Sequence, residues 1–344
     1  MAPHRAPEPP AGAAAVTENR TGLGEFDRIA RFFAPLAADP DAFGLTDDAA
    51  LLRSSPGREL VVTVDAMVEG VHFLPDDPAE LVARKLLRVN LSDLAAMAAA
   101  PVGYVLTTAL PAQRDDVWLA DFARGLALDQ ATYGIRLLGG DSVSTPGPIT
   151  LTVTAFGEVE PGRAVRRNGA RPDDLVWVTG TIGDGALGLL AATGRLVGAT
   201  PPHREFLADR YRLPQPRSGL GPALAGLATA MLDISDGLVG DLGHIVETSR
   251  VAAEIDAAAI PLSAAATAAL AIDPARLSLV LSGGDDYELL FTAPPHAAED
   301  FRRLADRHKV PITPIGRIRA GRGVTVRDAE GVEIRLSRGG YRHF

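Results

Sequence analysis

Aspartate is the residue whose placement in this chain asks for chemistry. Asp47-Asp48, Asp65, Asp93, Asp141, Asp233, Asp236 and Asp285-Asp286 fall at the ends of apolar runs or beside glycine. Taken singly, each reads as a solvated loop carboxylate or a helix cap. As a set they read differently. Asp65 ends the run VVTVD, Asp93 interrupts the apolar stretch LSDLAAM, and Asp233 and Asp236 sit in MLDISDGL. An ionised carboxylate is almost never buried without a partner, because desolvation costs several kcal/mol. The chain has no cysteine, which excludes disulfides, thiolate metal sites and thiol nucleophiles. Oxygen ligands without sulfur suit a hard cation, Mg²⁺ or Mn²⁺, rather than Zn²⁺.

Other residues are open to two readings. Gly139-Gly140-Asp141-Ser142 follows the apolar segment IRLL. It reads either as a tight turn or as a backbone that approaches a phosphate closely and adds a metal ligand. Gly180-Thr181-Ile182-Gly183-Asp184-Gly185 lies between a strand and a helix signal. It can seat phosphate at a helix N-terminus, or simply allow close helix–strand packing. Arg166-Arg167 suits bidentate phosphate recognition, or is solvated charge in a loop. His72, in VEGVHF, is structural or functional, and Tyr341, in GGYRHF, is a docked C-terminal aromatic or a stacking surface.

Composition narrows the function classes. The net charge of -9 argues against nonspecific nucleic-acid binding, which needs a basic surface. Lys85 and Lys309 are the lysines and the other cations are arginine, and no G-x-x-x-x-G-K-[ST] loop occurs. Any nucleotide must therefore be neutralised by metal ions and arginine. The apolar runs are all too short for the roughly 20 residues that span a bilayer. We expect no membrane segment and a cytoplasmic protein.

The elements that must position these residues follow from periodicity. Residues 1–20, rich in Ala and Pro, read as a disordered tail. A short helix is expected over 24–36 and a buried strand over 59–65. Leu81, Leu86, Leu87, Leu91, Leu94 and Met97 give helical spacing over 77–100. A strand over 102–110, a helix over 114–133 and two further strands complete an N-terminal domain of residues 21–159. Residues 160–174, rich in Pro, Gly and Arg, read as a linker. The C-terminal domain, 175–344, is expected to open with a strand and helix and then run irregularly over 195–216. Helices are expected at 219–230, 238–249 and 297–308. LSLVLSGGDDYELLFTA (277–293) reads as two strands around a turn, and short strands end the chain.

Eight segments carry a resemblance. LTDDAAL, VVTVDAMVEGVHF, NLSDLAAMAA, LLGGDS, RRNGARPDDLVWVTGTIGDG, MLDISDGL, LSGGDDYELLF and GGYRHF occur in this order across residues 22–344. In this the chain closely resembles the thiamine-monophosphate kinases. That family shares a superfamily with aminoimidazole-ribotide synthetase, selenophosphate synthetase and the hydrogenase-maturation dehydratase. The resemblance implies an α/β (α+β) fold of two domains, with mixed sheets packed with helices and a homodimer formed through the N-terminal domains. It implies metal ligation by Asp47, Thr63, the Val64 backbone, Asp65, Asp93, Asp141, Asp233 and Asp236. ATP would lie at Gly140, Asp141, Arg167 and Ser235, and thiamine monophosphate at His72, Asp285 and Tyr341. The implied reaction is direct in-line transfer from ATP with several Mg²⁺ ions and no side-chain base. Thr46, Ser142 and Asp285 stand where the family commonly has Gly, Thr and Glu. Another ATP-dependent enzyme of the superfamily, and a non-catalytic metal–nucleotide module, are the alternatives.

Overall fold

A computed structural model describes residues 23–336 and Gly340; the N-terminal tail expectation and Tyr341 lie outside the described residues. The described chain opens with α1 (Glu25–Arg28), which continues through a π turn, Ile29–Phe33, and a 3-10 turn, Ala34–Leu36. Four strands follow: β1 (Glu59–Val68), β2 (Ala100–Pro111), β3 (Arg136–Thr145) and β4 (Thr150–Val159). They form one sheet in the order β1-β4-β2-β3. Two helices, α2 (Ala79–Ala96) and α3 (Asp116–Tyr133), cover one face. Leu151, Val153 and Ala155 of β4 point into that core with Leu86, Leu87, Leu91 and Leu94 of α2. The two periodicities, 2 for the strand and 3.6 for the helix, are thereby satisfied in one contact.

The second sheet holds β5 (Leu175–Thr179), β6 (Ala230–Asp233), β7 (Ala252–Asp256), β8 (Leu289–Ala293), β9 (Ile312–Arg319) and β10 (Gly323–Arg327). Their order is β10-β7-β9-β5-β8-β6. The β10–β7 pair is parallel and the rest antiparallel. Its helices are α4 (Asp184–Ala192), α5 (Pro201–Arg212), α6 (Leu238–Ser249), α7 (Ala264–Ile272), α8 (Leu277–Ser282) and α9 (Ala298–His308). One face packs Val176, Val178, Leu232 and Ile255 against Leu187, Leu242 and Ala266. The other packs Trp177 and Phe291 against Phe301, and the same cluster includes Ala95 and Ala96 from the end of α2. Helix α2 therefore belongs to both cores.

Several expectations are corrected. The strand expected to be buried at 59–65 is an edge strand with one uncovered face. Leu60, Val62 and Val64 are 43%, 58% and 59% exposed. A β-branched run reads as doubly covered, but among the described residues nothing packs on the outer face of β1. Residues 195–216 contain α5, whose buried residues are only Leu207 and Tyr211, one turn apart. The expected helix at 219–230 is reduced to a single 3-10 turn, Gly221–Leu224, because Gly219, Gly221, Pro222 and Gly226 interrupt it. LSLVLS is helix α8 rather than a strand. A six-residue apolar run does not distinguish the two by periodicity.

Candidate active site

Helix α2 organises the site from two faces. Lys85, Arg88, Ser92 and Ala95, spaced three, four and three residues apart, form one stripe toward the second sheet and its loops. Lys85 Nζ is 3.2 Å from Asp285 Oδ1. Arg88 Nη1 donates to the Pro214 carbonyl at 2.8 Å, and Ser92 Oγ donates to Asp233 Oδ2 at 2.6 Å. Asn90 and Asp93, three apart, turn to β1 instead. Asn90 Oδ1 accepts the Asp65 N–H at 3.2 Å, and Asp93 Oδ2 accepts from Thr63 Oγ1 at 2.6 Å. Val64, between them, turns its side chain to the uncovered face.

This brings Asp65, Asp93, Asp233 and Asp236 together from β1, α2, β6 and the turn after β6. Burial raises the Asp65 carboxyl to about 6, helped by the charges of Asp93 and Asp236. Burial also raises Asp93, against the Thr63 hydrogen bond and the Arg167 charge. Asp233 is also raised, by burial first and then by Asp93, with the Ser92 hydroxyl opposing. Asp241, from α6, braces the turn by accepting the Asp236 and Gly237 N–H groups at 3.0 Å each. Burial raises it to about 7. Carboxylates that are costly to ionise because burial and then their neighbours' charges disfavour it are the donor set a hard cation would relieve. Among the described residues, no three acidic or histidine side chains surround one point as ligands do; Asp93 and Asp233 are instead engaged by hydroxyls.

Asp47, Gly140 and Asp141 line a separate cavity of about 560 Å³, with an apolar wall that includes Phe26, Phe33 and Phe156. The Gly139–Ser142 segment is not a turn but part of β3, paired with β2. A Cβ on Gly140 would lie 1.8 Å from the Leu106 carbonyl, so only glycine lets the strands meet there. The register places the two acidic groups apart. Asp65 pairs with Val153, Val153 with Leu106, and Leu106 with Gly140. Asp65 and Asp141 therefore sit on opposite edges, three strand spacings or roughly 14 Å apart.

The third group surrounds the loop after α8. His72 Nδ1 accepts the Val68 N–H at 3.0 Å, which orients its ring. Asp285 and Tyr287 take left-handed backbone angles, φ +67° and +53°, each costing roughly 1 kcal/mol or more. Four hydrogen bonds hold the loop in this form. Asp285 N–H reaches the Ser235 carbonyl at 2.9 Å, and Tyr287 N–H reaches the Ile234 carbonyl at 2.8 Å. The buried Asp286 carboxylate accepts from Gly183 N–H at 2.7 Å and Gly185 N–H at 2.9 Å. This decides the glycine-rich turn at 180–185: two of its amides bind an internal carboxylate rather than a phosphate. Beneath it, the buried Glu288 takes Arg217, Arg210 and Thr179. Burial holds the Tyr287 hydroxyl protonated, and the charges of Asp285, Asp65 and Asp233 reinforce this.

Lys85, Asn90, Ser92, Asp241 and Tyr287 were not singled out from the sequence. For the first three a signal exists: polar residues at three- and four-residue spacing inside an otherwise apolar helix.

The family model for the N-terminal domain of AIR synthase related protein matches residues 46–159, and that for the C-terminal domain matches residues 171–329. A thiamine-monophosphate kinase of Caulobacter vibrioides is 45% identical over 324 residues, covering 93% of this chain and 90% of the relative. The crystal structure of a thiamine-monophosphate kinase from Stenotrophomonas maltophilia superposes with a TM-score of 0.80 at 42% identity, covering 88% of this chain and 96% of that one. A structure described as AaThiL complexed with AMPPCP and TMP gives a TM-score of 0.74 at 31% identity, covering 87% and 91%. Identity of this level along both domains, in a chain whose buried aspartates converge from both, places it without ambiguity: it belongs to the thiamine-monophosphate kinase family of AIR synthase related proteins.

Proposed function

We propose that this chain transfers the terminal phosphoryl group of ATP to the phosphate of thiamine monophosphate, giving ADP and thiamine diphosphate, with Mg²⁺. The observation that carries the reading is the convergence of Asp65, Asp93 and Asp233, from β1, α2 and β6, in a cluster whose carboxyls are raised by burial and by one another. Relatives bearing the thiamine-monophosphate kinase name, and a neighbour holding an ATP analogue with TMP, supply the substrate identities.

Asp47, Thr63, the Val64 backbone, Asp65, Asp93, Asp141, Asp233 and Asp236 would hold the ions. When bound, Mg²⁺ supplies charge neutralisation between two polyanions and at the transferring group. Gly140, Asp141, Arg167 and Ser235 would seat ATP, with the apolar wall near Phe26 and Phe156 suited to a base. His72, Asp285 and Tyr341 would position the acceptor. Its phosphate, with a second pKa of about 6, already carries a nucleophilic oxygen near neutral pH. The transfer is direct and in line, and no side-chain base is assigned. Incubation with ATP and thiamine monophosphate should yield equal ADP and thiamine diphosphate, both lost in EDTA. ADP without thiamine diphosphate would move the substrate assignment to the sister enzymes.

The working unit in this reading is a homodimer through the N-terminal sheets. One chain keeps Asp141 and Asp65 on opposite edges, and the apolar outer face of β1 is uncovered. A second copy covers that face and brings its Asp141 to the other chain's Asp65 cluster. Val62→Glu with Val64→Glu should therefore convert a dimer to monomers in sedimentation equilibrium. After subunit exchange, a mixture of inactive Asp65→Asn and Asp141→Asn chains should regain activity. A wild-type monomer that turns over normally would defeat this arrangement. Among the described residues no helix is long and apolar enough to cross a membrane, and an ATP-consuming reaction belongs in the cytoplasm.

A further inference from the structure

Lys85 is one of two lysines in a chain that otherwise uses arginine for positive charge. It is only 2% exposed. A buried ammonium must find partners for its three donors, since its desolvation costs several kcal/mol. Its Nζ donates to the His72 carbonyl at 3.1 Å and lies 3.2 Å from Asp285 Oδ1. The face of the Tyr211 ring, with its centroid 3.8 Å away, closes the remaining side. The three partners come from the loop after β1, from α5 and from the loop after α8. One compact charge thus ties together the two described residues that the proposed function places at the acceptor.

The choice of lysine has a steric reason. A guanidinium is planar and larger, and its donors lie in one plane. It cannot meet a carbonyl, a carboxylate and a ring face arranged around a point without displacing Tyr211. The charge also has an electrostatic consequence. Asp285 is partly open, with 30% of its side chain exposed. Uncompensated, it would add to the field of Asp65 and Asp233 against an incoming phosphate.

We infer that Lys85 is a positioning residue of the acceptor site: it fixes the His72 loop against Asp285 and neutralises that carboxylate so that an anionic acceptor can approach. The inference rests on the proposed acceptor site at His72 and Asp285.

The test uses the full chain with Lys85→Met, Lys85→Arg, Asp285→Asn and the double variant Lys85→Met/Asp285→Asn. Binding of thiamine monophosphate is measured by calorimetry without ATP, and steady-state constants are measured for both substrates. Lys85→Met should weaken thiamine monophosphate binding and raise its KM by about tenfold or more, the cost of a displaced positioning contact. The KM for ATP should stay within about twofold, because that site is built by other residues. Lys85→Arg should not rescue the acceptor KM. The double variant removes both charges and so remains folded even where Lys85→Met does not; its acceptor KM should be no worse than that of Asp285→Asn alone. Unchanged thiamine monophosphate binding in folded Lys85→Met overturns the inference, as does an equal rise in both KM values. Wild-type protein that does not bind thiamine monophosphate overturns the proposed substrate itself, and is seen before any variant is made.

Discussion

Asp65→Asn is expected to lower turnover at saturating Mg²⁺ by about a thousandfold, the scale of losing a principal charge-stabilising contact in phosphoryl transfer. It should do so without unfolding the chain. Asparagine is nearly isosteric with aspartate, and the Asn90–Asp65 hydrogen bond uses the Asp65 main chain, not its carboxylate. The substitution removes a charge that Asp93 and Asp236 oppose. The variant should therefore be as stable as the parent in EDTA, or more so. The pH dependence has a definite sign. The folded Asp65 carboxyl lies at about 6, above its ordinary 3.8, so the folded state binds the proton more tightly than the unfolded one. Its contribution is full below about pH 4 and is lost as pH rises through about 6, a difference of at most about 3 kcal/mol. Thermal melts from pH 4 to 8 in EDTA should show this decline in the parent and a smaller one in Asp65→Asn. Mg²⁺, which competes with protons for the same oxygens, should reduce the decline in the parent. Near-normal turnover of Asp65→Asn at saturating Mg²⁺ would end the metal assignment.

The largest loss of stability is expected from Asp129→Ala, at about 3–5 kcal/mol by denaturant unfolding. Asp129 lies on α3 and is fully buried. Arg88 grips it with two nitrogens, Nε to Oδ2 at 2.6 Å and Nη2 to Oδ1 at 3.0 Å, and Arg84 Nε adds a third contact at 3.0 Å. Removing the carboxylate leaves the buried Arg88 guanidinium with no compensating charge and takes from Arg84 the nearer of its two acidic partners. The attraction of the pair is not what is lost; the stranded charge is what costs. Glu80→Ala, which disturbs the solvent-facing contacts of Arg124 and Arg84 on the same two helices, should change stability little. Because Arg88 and the site residues Lys85 and Ser92 share one stripe of α2, Asp129→Ala should also loosen the site. An Asp129→Ala midpoint within about 1 kcal/mol of the parent would show that the helices hold α2 without this pair.

The sequence by itself determined the parts that local periodicity encodes. Leucines at helical spacing marked α2, and the aspartates at the ends of apolar runs marked carboxylates that the fold draws together. The order of eight motifs placed the family. The tertiary structure decided what depends on partners distant in sequence. Strand order put Asp65 and Asp141 on opposite edges, although both follow apolar segments of similar character. Nothing local tells an edge strand from a central one, so the exposure of Val62 and Val64 had to wait for the sheet. Asp285 and Asp286 are adjacent in the chain, yet one opens to the cleft and the other is buried against the amides of a turn about 100 residues earlier. Lys85 looks from sequence like any solvated helical lysine. Its burial between a carbonyl, a carboxylate and a tyrosine ring exists only because both sheets pack on one helix. Short-range torsional and apolar preferences act within a few residues. The desolvation of a charge is set by whatever the fold brings to it.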